Sequence, residues 1–190
     1  MFDRRVMSAA AALLLLALAG CASGPSIRSD VNPDSDLASY RTYGWVETLG
    51  TDKAGYESLV TGRLKAAVGN ELEARGYRYD ENQPDMLVNF YVNLEEKQQV
   101  VTTPAAGMSY GRGYYGFRTG YYSTWPTYET RVSEYTEGTL TVDLVDARLK
   151  VLAWNGTLQD RVTKKVMEDP QGALRAAVAA LFDAYPYRAP

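Results

Sequence analysis

The chain has 190 residues, with 20 Lys and Arg against 23 Asp and Glu, no histidine and one cysteine. A net charge of −3 lacks the basic footprint of a nucleic-acid binder, so no nucleic-acid partner is expected. Without histidine or a second cysteine, the usual proton shuttle, the commonest metal ligand and an internal disulfide are all excluded.

Arg4 and Arg5 precede an apolar run, Val6 to Ala19, broken only by Ser8. The run is shorter than the roughly 20 residues that cross a hydrocarbon core. Its basic start, apolar middle and small-residue end have the layout of a secretory signal, expected over residues 1–20. A buried helix has no reason to stop at Gly20-Cys21 and give way to Ala22-Ser23-Gly24-Pro25. Leu18-Ala19-Gly20-Cys21 resembles the lipobox of bacterial lipoproteins. That resemblance implies cleavage between Gly20 and Cys21, a diacylglycerol thioether on the Cys21 sulfur and an acylated new amino terminus. One acyl chain anchors only marginally, at about 0.8 kcal/mol per buried methylene, whereas two or more hold stably. Ala22 rather than aspartate after the cysteine implies, by enteric-type sorting, an outer-membrane anchor with the domain facing the periplasm.

Loss of residues 1–20 removes Asp3, Arg4 and Arg5, leaving 170 residues of net charge −4, enough for one domain with a real core. Residues 21–36, small, polar and proline-bearing, read as a lipidated tether, and residues 37–187 as a single domain. Tyr40 to Val46 is rich in aromatic and β-favouring types, with Tyr43 and Trp45 on one face of a strand. From Tyr56 to Arg75, the spacing of Leu59, Val60, Leu64, Ala67, Val68 and Leu72 predicts a helix. Gly76 stands where a left-handed cap would end it, and Glu71 and Arg75 are expected to pair on its solvated face. Met86, Val88, Phe90, Val92 and Leu94 alternate as in a strand, which continues extended through Gln98 to Thr103.

Residues 105–127 differ in composition from the rest, holding five glycines with Tyr110, Tyr114, Tyr115, Phe117, Tyr121, Tyr122 and Trp125 and no apolar periodicity. Such a long loop in a compact domain is usually functional or disordered. Tyrosine gives large amphipathic area at small entropic cost and glycine gives adaptability, so these aromatics are the candidate contact residues, for an envelope protein or glycan. Glu129 to Tyr135 reads as a further strand. Thr139 to Asp146 and Val151 to Leu158 read as a hairpin, though Asn155-Gly156 is itself a turn signal that leaves another register open. Ala173 to Tyr185 carries a second helical stripe, started by Asp169-Pro170 and stopped by Pro186. The elements together predict an α+β fold: a mainly antiparallel sheet of about four to five strands with two helices packed on one face.

Tyr40-Arg41-Thr42-Tyr43-Gly44-Trp45, Glu73-Ala74-Arg75-Gly76-Tyr77, Asp85-Met86-Leu87-Val88-Asn89, Gly138-Thr139-Leu140 through Asp143-Leu144-Val145-Asp146-Ala147, and Trp154 recur in bacterial lipoproteins. With these blocks, from about Asp30 to Pro186, the chain resembles the family called domain of unknown function 4136. The resemblance implies a lipid-anchored α+β envelope protein and brings no catalytic residues. Relatives often carry Thr-Gly where Leu149-Lys150 stands here, so a positive φ in that turn would strain Lys150.

Two motifs fail on context. Gly107-Met108-Ser109-Tyr110-Gly111 has the form of a nucleophile elbow but no histidine to serve it. Gly111-Arg112-Gly113-Tyr114-Tyr115-Gly116 has the spacing of a dinucleotide fingerprint but leads into more glycine and tyrosine rather than a helix. Glu95, Glu96, Glu129, Glu134 and Glu137 are the carboxylates available for an acid–base pair, which requires a particular separation in space. The expectation is a non-catalytic binding or scaffolding lipoprotein with no cofactor and no metal, attached to the membrane through Cys21. An accessory subunit of an envelope transport machine and a carboxylate-dependent glycan hydrolase are the alternatives.

Overall fold

The computed structural model describes residues 24–53, 55–104 and 128–190. In chain order the elements are β1 (Ser26–Val31), β2 (Thr42–Trp45), α1 (Leu59–Ala74), β3 (Arg78–Tyr79), β4 (Met86–Pro104), β5 (Tyr128–Asp146), β6 (Leu152–Arg161), α2 (Lys164–Glu168) and α3 (Pro170–Phe182). The strands form one mixed sheet in the order β1-β6-β5-β4-β2-β3. Neighbours from β1 to β4 are antiparallel, while β2 runs parallel to both β4 and β3.

The α+β class and the mostly antiparallel sheet agree with the sequence, but the described residues hold six strands and three helices rather than four to five and two. The segments expected as separate strands at Glu129 to Tyr135 and Thr139 to Asp146 are one continuous strand, β5, and the two strands not expected, β1 and β3, are both edges. β3 is only two residues long, and β1 lies within the stretch expected as a tether. Ser26 to Val31 pair with Gln159 to Trp154, so this segment belongs to the domain. The polar residue that disguised the strand is Ser29. Its hydroxyl accepts a hydrogen bond from the Trp154 indole at 2.8 Å and donates to the Ala184 carbonyl at 3.3 Å.

Alternation along the strands places the core on one face. Met86, Val88 and Phe90 of β4, Leu140, Val142 and Leu144 of β5, and Trp154 and Leu158 of β6 are all buried. They meet Leu64, Val68 and Leu72 of α1 and Val178, Leu181 and Phe182 of α3. Each such side chain contributes about 1.5–3 kcal/mol by leaving water. The reverse face carries polar rows instead. Asn155 donates to Asp143 at 2.6 Å, and the hydroxyls of Thr141 and Thr157 lie 3.3 Å apart.

Local chemistry sets the boundaries. The Ser58 side chain accepts the Thr61 N–H at the start of α1. At its end Gly76 takes φ +92, with Gly76 N–H donating to the Glu73 carbonyl and Tyr77 N–H to the Leu72 carbonyl. Those two bonds are the Schellman pattern, available here because Gly76 has no Cβ. Arg75 departs from expectation. It does pair with Glu71, at 2.5 Å, but it is mostly buried rather than solvated. It donates from Nη2 to the Phe182 carbonyl at 2.7 Å and lies over that residue's ring, joining the C-terminal ends of α1 and α3.

The β5–β6 hairpin forms in the expected place, with Asp143 opposite Asn155 and Val142 opposite Gly156. Asn155-Gly156 is therefore inside a strand. Glycine is there because a Cβ at position 156 would run into the Trp154 indole and touch Leu181. In the turn itself Lys150 adopts φ 60, the strained conformation that the substitution at this position raised as a question.

Candidate contact site

β4 and β5 pair in unbroken register from Met86 opposite Asp146 to Pro104 opposite Tyr128. Their neighbours are much shorter. β2 accompanies β4 only along Met86 to Val88, and β6 accompanies β5 only from Val145 to Glu137. From Glu96 and Thr136 outward, β4 and β5 form a two-stranded ribbon with no third strand beside it among the described residues. Residues 98–103 and 128–134 are exposed on both faces. A lone hairpin in water is marginal by itself, so this one relies on its root and on whatever it meets.

The root is braced by polar contacts on the face opposite the core. Lys97 forms an ion pair with Glu137, and this bond holds its ammonium above the ordinary lysine range. Arg161 stacks on Tyr135, 4.0 Å from the ring centre, and donates to the Gln99 side-chain Oε1 at 2.8 Å. Farther out the composition changes. Near the body Glu95 and Glu137 share a face with Lys97 and Arg161, and Glu96 and Glu134 lie on the other face, whereas the outer rows carry only Glu129 and Arg131. Both of those lie on one face. The other outer face presents Val100, Thr102, Tyr128, Thr130 and Val132, with Val100 directly opposite Val132.

The sheet's opposite end is closed by a carboxylate lock. The Asp85 Oδ2 accepts from the backbone N–H of Arg41 at 2.8 Å, from that of Thr42 at 3.0 Å and from the Thr42 hydroxyl at 3.1 Å. Asp146 accepts the Tyr40 hydroxyl at 2.7 Å and the N–H groups of Arg148 and Leu149 at 2.9 and 2.6 Å. Burial works to raise the Asp146 carboxyl, but the Leu149 N–H, the Tyr40 hydroxyl and the Arg148 N–H outweigh it and hold the group below its ordinary value. Burial first, and then the Asp146 carboxylate, push the Tyr40 hydroxyl well above its usual range, so it remains a donor. These groups line a cleft of about 360 Å³ with Asp34, Asp36 and Arg148. Its two inner carboxylates are committed to holding backbone, which suits a structural joint.

The residues singled out from sequence fall in two groups. Gly20, Cys21 and the aromatics Tyr110, Tyr114, Tyr115, Phe117, Tyr121, Tyr122 and Trp125 lie outside the described residues, as do both glycine motifs. The strands that lead into and out of residues 105–127 are the ribbon itself. The candidate glutamates are spread along that ribbon. Glu95 sits opposite Glu137 with Lys97 bonded to the latter, Glu134 opposite Gln98, Glu96 opposite Thr136 and Glu129 opposite Thr103. The cleft at the other end gathers aspartates that sequence reasoning did not connect. Their only signal was that Tyr40, Asp85 and Asp146 each fall within a recurring block.

The fold has solved relatives. A PDZ domain protein from Parabacteroides distasonis ATCC 8503 superimposes with a TM-score of 0.54 at 13% identity, over 93% of this chain. The chain spans only 39% of that protein's length. PelC from Paraburkholderia phytofirmans, crystallised as a dodecamer in two forms, gives a TM-score of 0.48 at 10% and 11% identity, over 87% of this chain and 99% of that one. No curated protein matches. A family model does match, over residues 27–187, from within β1 to beyond the end of α3. The chain therefore belongs to the family described as domain of unknown function 4136.

Proposed function

We propose that this protein is an envelope lipoprotein, held on the periplasmic side of the outer membrane through lipid on Cys21, whose domain makes contacts rather than performing chemistry. One observation carries the contact part of this reading. The β4–β5 ribbon outruns its neighbouring strands among the described residues and exposes Val100, Val101, Tyr128 and Val132 to solvent. Unpaired strand edges and exposed aliphatic side chains are a liability that a free ribbon retains only if something meets them. The aromatic composition of residues 105–127, which join the two strands, supports the same role.

The test is to remove residues 97–135, join the stubs with Asn-Gly and compare crosslinked envelope pull-downs with those of the intact chain. Loss of the crosslinked species with retention of the folded domain is expected. An unchanged set of partners would refute the contact role, and stoichiometric recovery of an inner-membrane complex would assign it to a transport machine. Cys21→Ser tests the anchor separately, and a variant that still fractionates with membranes would refute it.

A further inference from the structure

We infer that the outer half of the β4–β5 ribbon rests on the same membrane that holds Cys21, with the uncharged face of Val100, Thr102, Tyr128, Thr130 and Val132 toward the lipid headgroups. The inference rests on the lipid-anchor reading of Cys21 and deepens it by naming what the ribbon touches. Strand directions supply the first argument. Ser26 pairs with Gln159, Gln159 with Thr139 and Thr139 with Asn93, so the start of β1 shares a row with the base of the ribbon. β1 is antiparallel to β6, which runs toward the ribbon end. The chain preceding Ser26 therefore leaves the sheet at the end from which the ribbon projects.

Reach supplies the second argument. Cys21 precedes Ser26 by five residues, which span about 18 Å at full extension. From the Asn93 row to Pro104 the ribbon covers about 36 Å at strand rise. A body standing on that end of the sheet thus brings the outer rows to the depth of the lipid, with length to spare. The tether expected over residues 21–36 would have left the domain free to turn away, but β1 ties Ser26 to Val31 into the sheet and leaves only five residues from Cys21 to Pro25 ahead of it.

Polarity supplies the third argument and selects this orientation over one in which the ribbon hangs in water. The glutamates cluster at the root, while the outer rows have balanced charge on one face and none on the other. Tyr128, Val100 and Val132 are 63%, 61% and 56% exposed. Tyrosine belongs at a membrane–water boundary, and residues 105–127 contain Arg112 and Arg118 without any acidic residue, a charge that suits anionic headgroups.

The single cysteine makes the test clean, because lipidation of Cys21 leaves no thiol. The full chain bearing Val132→Cys, or Leu149→Cys in the β5–β6 turn as a control, is purified from membranes and reconstituted into vesicles of phosphatidylethanolamine and phosphatidylglycerol. An environment-sensitive fluorophore on the new thiol is then read with spin-labelled lipids as quenchers. At least twofold greater quenching at 132 than at 149 is expected, with blue-shifted emission. Equal quenching at both sites, in protein whose Cys21 is unreactive to maleimide, overturns the ribbon's membrane contact and leaves the anchor standing. A maleimide-reactive Cys21 in the parent chain removes the anchor, and the inference with it. Shielding of 132 in native envelopes but not in vesicles also overturns the inference, in favour of a protein or glycan on the ribbon.

Discussion

Tyr40→Phe isolates one bond of the carboxylate lock. The substitution keeps the ring, which is buried, and deletes only the hydroxyl that donates to Asp146 Oδ2 at 2.7 Å. The Arg148 and Leu149 N–H groups bond the other oxygen, Oδ1, and remain in place. The loss is therefore that of a single hydrogen bond to a buried charge, about 1.5–3 kcal/mol. For a domain of this size each kcal/mol moves the melting midpoint by about 2–4 °C. Urea unfolding followed by circular dichroism, repeated at steps from pH 7 downward, gives both the magnitude and its pH dependence.

The sign of that dependence follows from Asp146. Its folded carboxyl titrates below its ordinary value, so the stability it contributes is complete above the unfolded carboxylate range and is lost as pH falls through the folded pKa. The Tyr40 hydroxyl is one of the groups that lower it, so in the variant the folded value moves back up. The gap between parent and variant is then widest near neutrality and narrows in acid. A gap below 0.5 kcal/mol at pH 7, or one that stays constant down to pH 3, would refute the reasoning.

Gly156→Ala should destabilise the domain by about 1–3 kcal/mol in the same denaturant assay, because its methyl must displace the Trp154 indole and press on Leu181. Lys150→Gly should act the other way. Relief of a left-handed backbone at φ 60, about 1–2 kcal/mol, exceeds the chain entropy glycine adds to the unfolded state, leaving a net gain of about 0.5–1 kcal/mol.

Much of the body was legible because its elements are periodic. The α1 stripe, the Gly76 cap and the alternation of Met86, Val88 and Phe90 report burial on one face, and burial is what the fold provides. Signals with two physical causes leave alternatives open. Asn155-Gly156 suits a tight turn, but the same missing Cβ also admits an indole from the next residue on that face. Ser29 reads as tether, yet a hydroxyl can replace apolar contact by bonding Trp154 and the Ala184 carbonyl. Arg75 reads as solvated because the helix that accepts its second bond is distant in sequence. The ribbon was visible as two extended segments flanking an aromatic loop. That it outruns its neighbours is a property of pairing between strands, which no single segment encodes. The carboxylate lock is likewise spread over Tyr40, Asp85 and Asp146, which fall in three separate blocks of sequence that nothing connects until the chain folds.

The place of β1 also bears on the order in which the protein assembles. Ser29 finds its indole partner 125 positions later and its carbonyl partner 155 positions later. Contacts that distant in sequence form slowly, since the intervening chain must be ordered before they are made. β1 precedes every other described strand and is matched only after β6, the last of them, has appeared, so until then β1 has no strand to pair with. Folding must carry this chain through an interval in which β1 waits for β6.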